Sequence, residues 1–181
     1  MIIHTPIFLK FPSQSGNNIF HYISLLSEFN ETLNITNGNI LFDCEDIQFI
    51  RPFGINLLSA MIFYHLQHGN KVLIKGTKDS SVHKYLLDQG FFQEFNIEQE
   101  HVTSMPRSTS VALRRLEGVD GTYLDNIANW LNFNGDIPLR VAQDLVSISL
   151  LEAINNVFDH SQSSIGCYIS AQAYHKQNQL S

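Results

Sequence analysis

Within SISLLEAINNVFDHSQSSIG, Ser147 to Gly166, three polar side chains recur every fourth residue: Glu152, Asn156 and His160. At about 100° per residue this spacing gathers a carboxylate, a carboxamide and an imidazole into one stripe along a helix. Leu150, Leu151, Ala153, Ile154, Val157 and Phe158 share the apolar face. Taken alone, such a pattern is what any half-exposed helix presents.

Other groupings carry less. His65 and His68 stand three apart near the end of a predicted helix, a spacing able to chelate a metal. No carboxylate or third histidine lies close to them in sequence, so they read as surface or capping residues. Asp43, Glu45 and Asp46 form an acidic turn, with Asp46 expected to cap backbone amides. Cys44 and Cys167 read as two small buried hydrophobes. There is no Gly-x-Ser-x-Gly, no Walker-type phosphate loop and no cysteine cluster.

The elements that must position these groups follow from periodicity and turn residues. Ile7 to Phe11 is a short strand stopped by Pro12. Ser15 can cap a helix carrying Ile19, Phe20, Ile23, Leu26 and Phe29 at helical spacing. Asn37-Gly38 is a turn, and Asn39 to Cys44 a buried strand. Phe53 to Gln67 places Leu57, Leu58, Met61, Ile62 and Leu66 on one side of a helix ended by Gly69. Lys71 to Lys75 is expected to be a second buried strand, and residues 80–89 a helix stopping at Gly90. Strand alternating with helix over short connections predicts a parallel α/β sheet. The polar, acidic stretch 96–106 is a candidate linker. Beyond it come a strand (Ser108 to Leu116), a helix (Tyr123 to Leu131) and a long helix from Leu139 to His160 introduced by Pro138. Ile165 to Tyr174 alternates like a half-buried strand, and residues 176–179 read as a hairpin turn.

Composition narrows the class. A hydrophobic fraction of 44% over 181 residues supplies a packed core and argues against disorder. The net charge of -6 opposes a general nucleic-acid binder, whose surface must be broadly basic. No basic cluster suits an anionic membrane surface, and no apolar run reaches the roughly 18–20 residues that cross a bilayer. No signal peptide is visible, so a cytoplasmic location is expected.

The stretch ILFDCEDIQFIRPFGINLLSAMIFYHLQHGNKVLIKG, from Ile40 to Gly76, resembles the core of a STAS domain, the fold of anti-sigma-factor antagonists. A strand ends in Asp43, Gly54 precedes the central helix, and VLIKG follows Gly69. SVHKYLLDQGFFQEF is similar to the family's final helix, so the resemblance covers about residues 5–95. Members that act as phosphorylation switches carry Asp-Ser-Ser-Gly before the central helix. Here that stretch is Arg51-Pro52-Phe53-Gly54, which offers no hydroxyl to phosphorylate. The resemblance therefore implies docking and not serine phosphorylation, with Arg51 a solvated loop charge.

LLEAINNVFDHS resembles the N box of the GHKL superfamily, which holds histidine kinases, anti-sigma serine kinases and Hsp90-type ATPases. The strand STSVALRRL and the two helices before the box match the opening of that fold, so this second resemblance covers about residues 107–181. It implies that Asn156 offers an oxygen to Mg²⁺, a hard cation that keeps waters and phosphates as its other ligands. It implies that Glu152 acts as general base on a water or hydroxyl attacking the γ-phosphate, and that His160 supports the pocket edge. The family completes its pocket with an Asp-x-Gly-x-Gly box and a second glycine-rich segment. Neither follows in these 181 residues; Asp120-Gly121 and Asn134-Gly135 lie upstream and read as turns.

The expected protein is α/β: a STAS-like sheet with helices on one side over residues 1–95, a linker at 96–106, and a partial GHKL sandwich over 107–181. Its expected function is bacterial-type regulatory signalling, with ATP and Mg²⁺ as cofactors of the intact protein. ATPase or protein-kinase activity is expected only if the glycine boxes follow in a longer chain. Protein partners of the sigma, anti-sigma or two-component kind are expected, with a homodimer among the conceivable assemblies. The competing expectation is a non-catalytic interaction module with a STAS-like half and an incomplete ATPase half.

Overall fold

A computed structural model describes residues 7–11, 19–76, 81–95, 107–161, 164–175 and 179–181. The chain is mixed α/β and divides into two compact units, Met1–Leu86 and Leu87–Ser181. The expected linker, 96–106, lies outside the described residues, and the division falls earlier than the boundary read from the sequence. Among the described residues no helix is long and apolar enough to cross a membrane.

In the first unit β1 (Ile7–Lys10), β2 (Asn39–Asp43) and β3 (Lys71–Lys75) form a parallel sheet in the order β1-β2-β3. Register places Leu9 beside Phe42 and Ile74, and Phe8 beside Leu41 and Leu73. Adjacent residues in register share a face. Leu9, Ile40 and Phe42 are buried, whereas Phe8 and Leu73 are exposed, so the core lies on one face. Helix α1 (Ile19–Thr32) packs on β1 and α2 (Pro52–Gln67) on β3. Leu58, Met61 and Ile62 are buried as expected.

Three expectations are corrected here. Helix α1 buries Leu25 and Thr32, while Ile23 and Leu26 are exposed. The helix carries two overlapping apolar stripes, and the one through Leu25, Phe29 and Thr32 faces the core, where Phe29 meets Tyr64 and Thr32 bonds His65. The side chains of Ile19 and Phe20, like Ser15, lie outside the described residues. Strand β3 is an edge strand of alternating exposure, not a buried one, and its outward lysines suit an edge. His65 is fully buried rather than a surface residue, while Leu66 at the same helix end is exposed. His68 is the C-cap of α2, and Gly69 follows it at φ 72, the left-handed turn expected there.

In the acidic turn it is Asp43, through Oδ1, that accepts the Glu45 amide at 3.0 Å, while Asp46 pairs with Lys10 at 2.6 Å. Cys44 is buried, which pushes its thiol up to about 12; Cys167 is half-buried.

Helix α3 (Ser81–Asp88) runs up to the second unit, where Gly90 at φ 75 opens the short α4 (Phe91–Glu94). There β4 (Ser110–Leu116), β5 (Cys167–Tyr174) and β6 (Gln179–Leu180) form an antiparallel sheet in the order β4-β5-β6. Helix α5 (Gly121–Gly135) starts on Asp120, whose side chain accepts the Tyr123 amide at 3.0 Å. The predicted long helix is present in three parts: α6 (Leu139–Leu145), a π-helical turn (Val146–Leu150) and α7 (Leu151–His160). One core joins Val111, Leu116, Tyr123, Leu124, Ile127 and Ala128 to Ala142, Val146 and Ile154. Of the predicted hairpin turn at residues 176–179, the first three lie outside the described residues and Gln179 opens β6.

Candidate functional site

Helix α7 holds the three residues singled out by spacing. Its inner side is fixed by Ile154, which is 1% exposed, with Leu150, Leu151 and Phe158 packed around the core and the helix lying on β5. Glu152, Asn156 and His160 therefore stand on the outer side, and all three are exposed. Ala153, expected on the apolar face, is exposed as well. His160 falls in the last turn of the helix.

The π-helical turn just before this helix was not legible as such, although a signal was present. The buried positions Ala142, Val146 and Ile154 are spaced in fours. In a plain α-helix positions twelve apart drift about 120° out of phase. The Leu151 amide donates to the Val146 carbonyl five residues back, and this wider turn brings Ile154 onto the same side as Ala142.

A separate cleft of about 460 Å³ is lined by Glu94, Arg114, Arg115, Leu116, the Glu117–Val119 loop and Asp120. None of the three α7 residues lines it. Its charges largely cancel. Arg114 pairs with Asp120 at 2.8 Å and lies over the Tyr123 ring at 4.7 Å. Arg115 pairs with Glu117 and donates to the Ile165 carbonyl at 3.1 Å. The Tyr123 amide, and then Arg114, hold Asp120 below the usual carboxylate range. Burial raises Glu94 against the pull of both arginines, and it pushes the Tyr123 hydroxyl up to about 12. A β-bulge between Val111 and Arg114 precedes the arginine pair, and bulges re-aim side chains. Sequence reading took Asp120-Gly121 for a turn and missed the cleft, because a bulge leaves no mark in an apolar run.

A nucleotide with its metal needs an oxygen ligand, counter-charges and walls on two sides. Helix α7 provides the Asn156 amide oxygen and the Glu152 carboxylate on one open wall. Among the described residues no group of three or more His, Cys, Asp or Glu side chains could hold a metal ion. The described residues thus fit one wall and do not by themselves enclose ATP. No protein-family model, no curated protein and no solved structure matches the chain.

Proposed function

We propose that this is a cytoplasmic regulatory protein with a STAS-like docking unit and a second unit of the histidine-kinase-like, nucleotide-binding kind. One observation carries the reading. Helix α7 keeps Glu152, Asn156 and His160 in an open column while Ile154 anchors its other side to the core. The order strand, helices, strand and antiparallel partner strand around it supports the same reading. On the N-box resemblance Asn156 faces Mg²⁺, Glu152 the attacking oxygen, and His160 the pocket edge. Protein partners of the sigma, anti-sigma or two-component kind are part of this proposal.

Calorimetric titration of the full-length protein with Mg·ATP tests it. The wild type is expected to bind, and Asn156→Ala to bind at least about tenfold more weakly, as befits a lost metal contact. Equal affinities would remove the role assigned to Asn156. The openness of the column favours a second reading, a non-catalytic interaction module. Absence of any binding heat in the wild type would select it.

A further inference from the structure

The π-helical turn Val146–Leu150 decides which way the Glu152 column faces. Helix α6 is anchored by Ala142, which is fully buried, and Val146 is 5% exposed. From Ala142, a plain α-helix would bring Asn156 about 40° short of the buried direction and His160 onto it. Ile154 would stand about 120° away from the core it in fact occupies. The wider turn takes up one residue, equivalent to about 100° of rotation. Ile154 then returns to within about 20° of Ala142, and Asn156 lies about 140° from the buried direction. The exposed positions of Glu152, Asn156 and His160 agree with that phase.

We infer that the turn Val146–Leu150 is a phasing device, one residue longer than a plain helix needs, that aims Glu152, Asn156 and His160 outward. The residue count, not the side chains of the turn, carries this role. Ser147 donates back to the Asp144 carbonyl at 3.2 Å, and Ser149 is exposed. The inference deepens the proposed nucleotide site by naming what positions it, and it rests on that reading only for the meaning of the column.

The test changes length and not chemistry. Deleting Ser149 leaves the anchors Ala142 and Ile154 eleven positions apart, which a plain α-helix phases to within about 20°. Inserting one alanine after Ser149 turns the column back by about 100°. Maleimide labelling of the thiol introduced by Asn156→Cys, read at that peptide by mass spectrometry, reports the facing without any nucleotide. Labelling in the Ser149 deletion is expected at the parent rate. In the insertion it is expected at least about tenfold slower, or the fold is lost. In the same backgrounds with Asn156 restored, Mg·ATP affinity should survive the deletion and fail in the insertion. Slowed labelling or unfolding in the deletion, or parent-rate labelling in the folded insertion, overturns the phasing role. A labelling pattern as expected, without nucleotide binding by any variant, overturns the proposed function and leaves the phasing intact.

Discussion

The imidazole of His65 sits among Phe29, Tyr64 and Phe42, with ring centroids 5.4, 5.5 and 6.3 Å away. The Asn70 NH2 group can only donate, so its Nδ2, 3.2 Å away, requires His65 Nδ1 to accept. Nε2 then carries the proton and donates to Thr32 Oγ1 at 3.1 Å, which donates onward to the Phe29 carbonyl. Burial first, then His68 nearby, hold His65 down to about 4. The unfolded chain takes up this proton near pH 6.5 while the native state refuses it. Stability should therefore fall as pH drops from about 6.5 to about 4, by about 3 kcal/mol in all. Denaturant unfolding between pH 7 and 4 checks this, and Thr32→Val with His65→Leu should flatten the profile. Truncating Asn70, which also binds the Ile35 carbonyl and the Gly38 amide, should cost about 2–3 kcal/mol.

Helix α7 makes the contrast between its faces measurable. Ile154→Ala should destabilise the protein by about 2–5 kcal/mol, whereas Asn156→Ala should change stability by less than about 0.5 kcal/mol. Thermal or urea unfolding of the two variants reads both. At the end of the β4–β5 pairing, Gly166 holds φ 83, and an added Cβ would lie 2.5 Å from the Leu116 carbonyl oxygen. Gly166→Ala should cost about 1–3 kcal/mol in the same assay. Elements of this kind were legible in the sequence where periodicity and punctuation agreed: β2 between its turn and Cys44, α2 ended by Gly69, and Pro138 at the start of α6. Facing was less legible. Helix α1 offers two apolar stripes, and tertiary partners distant in sequence, Phe11, Tyr64 and His65 among them, meet the one that faces inward. The exposure of β3 depends on strand order, which local pattern does not state. The three α7 residues were legible by their spacing, but the wide turn before them shows only in the folded chain.

At the scale of the molecule, the two compact units divide between Leu86 and Leu87, inside SVHKYLLDQGFF, which reads in the sequence as one continuous amphipathic segment. Its end belongs to the second unit. Leu113 donates its amide to the Gln89 carbonyl at 2.7 Å, Arg107 pairs with Asp88, and Phe91 and Phe92 are buried. A fragment starting at Ser81 should therefore fold more stably than one starting at residue 96. Circular dichroism melts of the two fragments decide it, and equal midpoints would restore the later boundary.

Asn37, Gly38 and Asn70 lie in the two loops that deliver the chain into β2 and β3. Asn37 donates its amide to the His68 carbonyl, Gly38 to Asn70 Oδ1, and Lys71 to the Gly38 carbonyl. Three hydrogen bonds, at 3.3, 2.8 and 2.8 Å, lace these loops to each other. In deuterium exchange the Gly38 and Lys71 amides should be as slow as those of Ile40 and Phe42, so the unit opens from its other end first.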